Sequence, residues 1–138
     1  MEVLSPGQSR LTDTESDIDN NAVVLRLEYG EVSFLLTSDI KREAELDLIT
    51  RLTGLPSTVL KVAHHGSTTS TVAEFLAVVN PRLAVIPVGE DNSFGHPSDE
   101  VMARLEQRLG AENVYRTDER GTIKFFTDGE RLWLRVEK

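Results

Sequence analysis

The feature that most constrains this chain is a short apolar run that ends in two adjacent histidines. The run from Val59 to Ala63 is almost wholly apolar, which is typical of a buried strand. His64 and His65 follow at once, and Gly66 after them can adopt backbone angles that other residues avoid. The histidine pair therefore lies on a predicted strand-to-helix turn, where α/β proteins tend to place ligand chemistry.

The segment after the histidine pair predicts a helix. Apolar residues recur at helical spacing from Thr71 to Val79, and Asn80-Pro81 stops the helix. Three polar residues just before this segment, Ser67, Thr68 and Ser70, are candidate caps for its first turn.

Two further predicted strands end in side chains that can bind metals. The strand Val32 to Thr37 stops at Ser38-Asp39, and the strand Leu83 to Val88 leads into the polar loop Gly89 to His96. A histidine at a strand end is commonly a hydrogen-bonded structural residue, and an aspartate after a strand is commonly a helix cap. The occurrence of three such strand ends in one short chain favours a shared site.

The remaining periodicities predict an α+β fold with a mixed sheet and flanking helices. Strands are predicted at Val3-Leu4, Val23 to Tyr29, Val32 to Thr37, Val59 to Ala63, Leu83 to Val88, Val114 to Arg116, Thr122 to Phe126 and Leu132 to Val136. Helices are predicted from Ile40 to Gly54, Thr71 to Val79 and Pro97 to Gly110. Strands that alternate with helices and are framed by hairpins fit half of a sheet-on-sheet sandwich with helices outside.

Local signals define several element ends. Ser98 is a candidate N-cap with acidic residues after it, Gly110 closes the same helix, and Asp128-Gly129 predicts a hairpin turn. Residues 1–21 are rich in polar residues, and the acidic stretch Thr12 to Asn21 has few apolar ones. We expect one domain over residues 1–138, with 1–21 partly flexible.

The amino-acid composition limits the kinds of site and partner that the chain can have. A chain of 138 residues is long enough for one domain with a hydrophobic core. It contains no cysteine, so any metal must be bound by histidine and carboxylate. The net charge of −8 argues against tight, unaided binding to a polyanion such as DNA. The apolar runs are too short for a membrane span, and the polar stretch Met1 to Arg10 does not predict a signal peptide.

Several segments, taken in their order along the chain, resemble one protein family. They are Asn20-Asn21, Val23 to Tyr29, Phe34 to Ile40, Leu60 to Ser67, Asn92 to Pro97, Tyr115 to Asp118, and Gly121. From about Val3 to its end the chain resembles the C-terminal half of the metallo-β-lactamase-like domain of the ComEC family of DNA-internalisation competence proteins. The resemblance implies an αββα sandwich of which this chain is the C-terminal half, a partial domain.

Two departures from the family pattern bear on the site. The family usually has Gly-Asp where this chain has Ser38-Asp39. The principal metal motif of the family, a His-x-Asp-x-Asp-His type cluster, lies upstream of the resembling segment and is not among these residues. The chain therefore resembles half of a metal site, and we expect it to be inactive by itself.

The resemblance implies two zinc or manganese ions in the complete domain. It makes Asp39 the carboxylate that bridges them and places the last histidine ligand in His64-His65. We favour His65 because it lies further into the turn, with His64 as a neighbour that holds the ligands in orientation. The opposite assignment remains an alternative.

His96 has two interpretations. In phosphodiesterases of this superfamily a late loop supplies a group for the substrate phosphate or the leaving oxygen, so His96 is a candidate phosphate donor or general acid. Ser67, Thr68 and Asn92 are candidate hydrogen-bond donors to substrate, and Gly95 would allow close approach of the backbone. The alternative is that Gly95-His96-Pro97 is a structural turn before a helix.

The resemblance implies a metal-dependent hydrolase domain that cleaves DNA phosphodiester bonds during uptake. Its partners would be DNA, the remainder of a ComEC-type membrane protein and other competence proteins. The parent would be a multi-pass cell-membrane protein with this domain, here a soluble fragment, outside the cytoplasm. Two alternatives stand beside it: a non-catalytic module of the transporter that binds a partner or DNA, and a hydrolase of the same superfamily acting on a small phosphodiester.

Overall fold

Eight strands and five α-helices make up a mixed α+β fold in a computed structural model that describes residues 1–138. The strands are β1 (Glu2–Ser5), β2 (Val24–Tyr29), β3 (Val32–Leu36), β4 (Val59–Lys61), β5 (Leu83–Ile86), β6 (Val114–Arg116), β7 (Ile123–Thr127) and β8 (Leu132–Val136). The helices are α1 (Asp17–Asn20), α2 (Arg42–Arg51), α3 (Ala73–Val79), α4 (Asp99–Leu109) and α5 (Thr117–Arg120), with 3-10 turns at Ala63–Gly66 and Ala111–Asn113. No helix combines the length and the apolar character that a membrane crossing requires.

Six strands form one mixed sheet in the order β1-β2-β3-β4-β5-β6. The first three strands are antiparallel to one another, and β3, β4, β5 and β6 are parallel. Parallel neighbours need crossover connections, which α2, α3 and α4 provide. The predicted mixed sheet with flanking helices is confirmed.

The hydrophobic core lies between one face of this sheet and the three crossover helices. Alternate strand residues point to the same face, so the helix-covered face carries Leu35, Leu60, Ala84 and Ile86. The helices contribute Ala44, Leu48, Phe75, Leu76, Val79, Val101 and Leu105. A fully buried Leu or Phe side chain stabilises the fold by about 1.5–3 kcal/mol, which makes this layer the main source of stability.

The hairpin β7–β8 forms a second, two-stranded sheet over the opposite face. Phe125 meets Phe34 edge-to-face, with ring centroids 5.6 Å apart. The predicted turn is confirmed, since the Asp128 carboxylate accepts hydrogen bonds from the backbone N–H groups of Glu130 and Arg131. The chain therefore builds a helix–sheet layer with a second, two-stranded sheet on its other face.

Helix α3 is capped by a residue distant in sequence. The side-chain oxygens of Glu45 accept hydrogen bonds from the N–H groups of Thr71, at 2.5 Å, and Val72, at 2.9 Å. Val72, at the N-cap position, makes no side-chain cap bond, and Ser70 donates its hydroxyl proton to the carbonyl oxygen of Ile40. The prediction that a preceding serine or threonine caps this helix is therefore wrong.

Helix α2 is capped in the same way. The side-chain oxygen of the buried Asn20 accepts hydrogen bonds from the N–H groups of Lys41, at 3.0 Å, and Ala44, at 3.3 Å. Asp39 does not cap this helix, so the structural role that competed with metal binding for its carboxylate is filled by another residue. The segment 1–21, predicted to be mostly loop, contains β1 and the short helix α1.

Helix α4 follows its sequence signals. The Ser98 hydroxyl accepts a hydrogen bond from the N–H group of Val101, and Gly110 ends the helix. Both predicted caps are confirmed. This helix begins just after the loop that carries His96, so its start also fixes where that loop ends.

Candidate functional site

The metal-capable side chains meet at one edge of the sheet because β3, β4 and β5 are parallel. Asp39 follows β3, the histidine pair follows β4, and Pro87 follows β5. The carboxyl ends of parallel strands lie together, and ligands of α/β proteins bind there. The strand β4 stops at Lys61, earlier than predicted, because the backbone turns sharply at the histidines.

Both histidines have left-handed backbone conformations. His64 has φ 49° and ψ 43°, and His65 has φ 54° and ψ 23°. Each costs roughly 1–2 kcal/mol for a residue other than glycine. The turn is held by the N–H of His64, which donates to the Ser38 carbonyl, and by the N–H of Ser67, which donates to the His64 carbonyl. Strain of this kind is concentrated at functional sites, which supports a functional role for the pair.

Gly66 joins the histidine turn to the loop that carries His96. It has φ +82°, and a Cβ atom there would lie 2.6 Å from the Cβ of Pro97. The N–H of Ser98 also donates to the Gly66 carbonyl at 3.0 Å. This close approach places the His64 and His96 rings 6.1 Å apart, so the three histidines form one cluster.

His65 has the hydrogen-bond arrangement of a metal ligand. Its Nδ1 lies 2.6 Å from the carbonyl oxygen of Pro87. A carbonyl oxygen only accepts, so Nδ1 carries a proton and donates it. Metal-binding histidines usually donate their second ring nitrogen to a carbonyl or carboxylate, which fixes the tautomer.

The other ring nitrogen of His65 faces Asp39. The Nε2 atom lies 3.5 Å from Asp39 Oδ1. In the neutral ring this nitrogen carries a lone pair, so the facing carboxylate requires a proton or a cation between the two atoms. Two ligands of one tetrahedral zinc ion are about 3.3 Å apart when each bond is near 2.0–2.1 Å. The observed separation therefore suits two ligands of a single ion.

Lys61 is a site residue that the sequence analysis did not identify. Its ammonium lies 3.8 Å from Asp39 Oδ1 and donates a hydrogen bond to the Ser38 carbonyl at 2.7 Å. Burial lowers the pKa of Lys61, and the Asp39 charge opposes that shift. Lys61 therefore holds the carboxylate at the sheet edge and competes with any cation for it. The sequence feature that could have identified Lys61 is the occurrence of a lysine inside an otherwise apolar strand.

His64 differs from its neighbour. Its Nδ1 is buried and has no hydrogen-bond partner, a situation that costs about 1–3 kcal/mol. The ring lies beside both other histidines, with centroids 6.5 Å from His65 and 6.1 Å from His96. Of the two adjacent histidines, only His65 lies within 4.0 Å of Asp39.

His96 lies at the open side of the cluster. Burial and, less strongly, the nearby His64 and His65 lower the pKa of His96, which favours its neutral form at pH 7. Its ring stacks on the exposed ring of Phe94 at 5.9 Å. The Asn92 amide accepts the N–H of His96 and donates to its carbonyl, so Asn92 shapes this loop.

The other predicted substrate-binding residues have mixed environments. Ser67 is buried, and its hydroxyl is 3.0 Å from that of Thr69. Thr68 is exposed, and Gly95 is exposed with open space around it. The structure thus brings together Asp39 and the three histidines, whereas Ser67 is occupied by internal hydrogen bonds.

The donor set fits part of a metal site. Asp39 and His65 could supply two of the three or four protein ligands that zinc takes. No group of three or more histidine, aspartate or glutamate side chains converges anywhere in the chain in a metal-binding arrangement. A complete zinc site would need at least one ligand beyond these two.

Comparison with known proteins gives three informative relatives. The chain is 36% identical over 107 residues to ComE operon protein 3 of Bacillus subtilis, covering 78% of this chain and 14% of that protein. It is 37% identical over 112 residues to Competence protein ComA of Neisseria gonorrhoeae, covering 79% of this chain and 16% of that protein. It is 34% identical over 115 residues to Recombination protein 2 of Haemophilus influenzae, covering 83% of this chain and 14% of that protein.

No protein-family model matches the chain, and no solved structure matches it significantly. The alignments cover only 14–16% of the length of these relatives, so the chain corresponds to one segment of each. Two of the relatives are named for competence or its operon, and the third for recombination. The matches therefore support a competence-protein family for this chain.

Proposed function

We propose that the chain is the C-terminal part of a metal-dependent hydrolase domain that cleaves DNA phosphodiester bonds in a ComEC-type DNA-uptake protein. The observation that carries the proposal is the environment of His65. Its Nδ1 donates to the Pro87 carbonyl, and its Nε2 faces Asp39 at 3.5 Å. A strained turn that directs His65 Nε2 at the Asp39 carboxylate in this way is difficult to explain as core packing.

The exposed face of the six-stranded sheet supports the αββα sandwich as the fold of the complete domain. This face carries half-buried apolar side chains that do not join the core, namely Leu25, Leu27, Phe34, Leu36, Leu83, Val85 and Tyr115. The hairpin β7–β8 lies over part of it. A larger second sheet would bury this apolar surface, as sheet-on-sheet packing requires.

The site residues take distinct roles in this proposal. Asp39 and His65 bind metal, the Pro87 carbonyl fixes the His65 tautomer, and Lys61 positions the Asp39 carboxylate. Divalent ions bound there, zinc or manganese, would supply an activated water nucleophile near neutral pH. His96 donates a hydrogen bond to a phosphate oxygen, since its lowered pKa favours the neutral ring.

The cellular setting follows from the resemblance. The parent is a multi-pass cell-membrane protein with this domain outside the cytoplasm. DNA is its substrate, and the remainder of the membrane protein and other competence proteins are its partners. The competence-related names of the relatives support this setting.

A non-catalytic module of the transporter is the second candidate. It is favoured by the small donor set, in which only Asp39 and His65 face each other. Such a module would bind a partner or DNA without hydrolysing it.

The test is a nuclease assay on the complete domain, with the upstream residues of the full-length protein included. We expect manganese- or zinc-dependent cleavage of DNA that Asp39→Asn abolishes and that Asp13→Asn, an exposed matched control, leaves intact. A metal-loaded domain that cleaves no DNA would favour the module. Cleavage that survives Asp39→Asn would show that Asp39 has no catalytic role.

A further inference from the structure

A second candidate site lies at the opposite end of the parallel strands from Asp39. Thr58, Arg82 and Asn113 stand directly before β4, β5 and β6, whereas the histidine cluster follows the carboxyl ends. His64 lies six positions after Thr58, beyond the far end of β4, so the two regions are up to about 20 Å apart along this strand. They belong to different surfaces of the molecule.

These strand starts border a groove of about 700 Å³. Its walls include Arg82, Arg108, Arg131 and Trp133, and Glu130 is the only carboxylate that lines it. Three arginines and one glutamate give a local excess of positive charge on a chain whose net charge is −8.

The three groove arginines are free of carboxylate partners. Most other basic side chains of the chain are neutralised within it, as in the ion pairs Arg51–Asp47 and Arg116–Asp118. Arg108 donates only to the side-chain oxygen of Asn80 and to a backbone carbonyl. Arg82 and Arg131 form no ion pair.

Trp133 adds an aromatic surface to the groove. Its side chain is on the outward face of the β7–β8 hairpin, opposite Phe126 on the neighbouring strand, and both are 48% exposed. The Arg135 guanidinium lies 5.5 Å from the centre of the Phe126 ring. Exposed rings flanked by guanidinium groups are the usual elements of surfaces that stack nucleic-acid bases.

We propose that this groove binds a short single-stranded nucleic acid segment, with Trp133 stacking on a base and Arg82, Arg108 and Arg131 contacting phosphates. Stacking requires bases that are not already paired and stacked in a duplex, which selects a single strand. Guanidinium groups match phosphate oxygens in geometry and charge. The site is separate from Asp39 and His65 and does not depend on metal or hydrolysis.

The net charge of the chain limits how tightly the groove is expected to bind nucleic acid. The overall negative charge repels a polyanion, so binding is weak and visible mainly at low salt. Three phosphate contacts on a single strand predict a slope of log K against log salt of about −2. An acidic peptide would also meet the arginines but gains no stacking on Trp133.

The experiment uses the fluorescence of Trp133, which is the only tryptophan of the chain. Oligothymidylate of twelve nucleotides is titrated at low salt in EDTA, so that hydrolysis does not contribute. We expect quenching of the tryptophan emission that salt reverses, and a fluorescently labelled oligonucleotide should report the same affinity by anisotropy.

Three variants test the residues. Arg82→Glu combined with Arg131→Glu should weaken binding by at least about 10-fold, and Trp133→Ala by roughly 10-fold. The control pair Arg10→Glu with Arg42→Glu makes the same charge change at exposed arginines outside the groove.

Several results would overturn the proposal. They are an absence of quenching, an equal loss of affinity in the groove and control pairs, or equally strong binding of polyglutamate or of a single nucleotide. Salt-sensitive binding that is weakened only in the groove variants supports it, and anisotropy alone reports on Trp133→Ala because this variant lacks the only tryptophan. Because the measurement excludes metal, it can succeed or fail independently of the hydrolase assay.

Discussion

Gly66 occupies a position where no other residue fits. Its φ of +82° and the 2.6 Å approach of a Cβ atom to Pro97 both exclude a side chain. The two strained histidines before it depend on this contact, because it secures the turn against the loop that carries His96. The geometry of the cluster therefore rests on a residue that has no functional group.

Replacement of Gly66 by alanine should destabilise the protein by about 2–4 kcal/mol, since it adds left-handed strain to an overpacked contact. Gly54→Ala is the matched control, because nothing lies within 4 Å of a Cβ there. Urea unfolding of both variants measures the difference. Equal stabilities would show that the loop moves aside freely and that the contact does not fix the cluster.

His96 has a lowered pKa and stacks on Phe94 at the open side of the cluster. In the complete domain, His96→Ala should lower turnover by roughly 100-fold, the scale expected when an acid–base or proton-donating group is lost. Metal content should stay unchanged, because His96 is not one of the two facing donors. Kinetics and metal analysis on one sample decide this: unchanged turnover makes His96 structural, and lost metal makes it a ligand.

At the scale of elements, two of the crossover helices are capped by residues far away in sequence. Asn20 caps α2, and Glu45 of α2 caps α3. This chain of caps links the N-terminal segment to α3. It also leaves Asp39, three positions after the end of β3, free to face His65.

The cap from Glu45 predicts a dependence of stability on pH. Burial raises the pKa of Glu45 to about 7 from its ordinary value of 4.5. The folded state then binds the proton more tightly than the unfolded state. The contribution of this group to stability is complete below pH 4.5 and is lost as the pH rises through 7, by about 3 kcal/mol in total.

Glu45→Gln removes this titration. Relative to the variant, the parent protein should lose roughly 3 kcal/mol of stability between pH 5 and pH 8, measured by urea unfolding at several pH values. The stability of Glu106→Gln, a control at an exposed position, should vary with pH in the same way as that of the parent protein. Parallel profiles for Glu45→Gln as well would mean that Glu45 remains ionised throughout and caps α3 as a carboxylate.

At the scale of the whole molecule, sequence patterns predict what depends on local chemistry. Apolar runs located the buried strands, helical periodicity located the helices, and the strand ends located Asp39 and the histidines. The caps by Asn20 and Glu45 are not predictable in this way, because partners more than 20 residues away are chosen by packing. The left-handed histidines and the role of Lys61 also arise only when the strands assemble.

The relative position of the two candidate metal ligands, Asp39 and His65, also depends on how the strands pair. Sequence favoured His65 over its neighbour only by its place in the turn. The structure adds the contact that orients the His65 ring. Its Nδ1 donates to the carbonyl of Pro87, which directly follows β5, the strand beside β4.

The central claim is that Asp39 and His65 are two ligands of one metal ion. Long-range ¹H–¹⁵N NMR of the three histidine rings during zinc titration tests it most directly. We predict weak binding that shifts the Nε2 signal of His65 first, keeps its Nδ1 protonated, and disappears in Asp39→Asn. Tight binding of two ions by this chain alone, or a first response at another histidine that persists in Asp39→Asn, would contradict the claim.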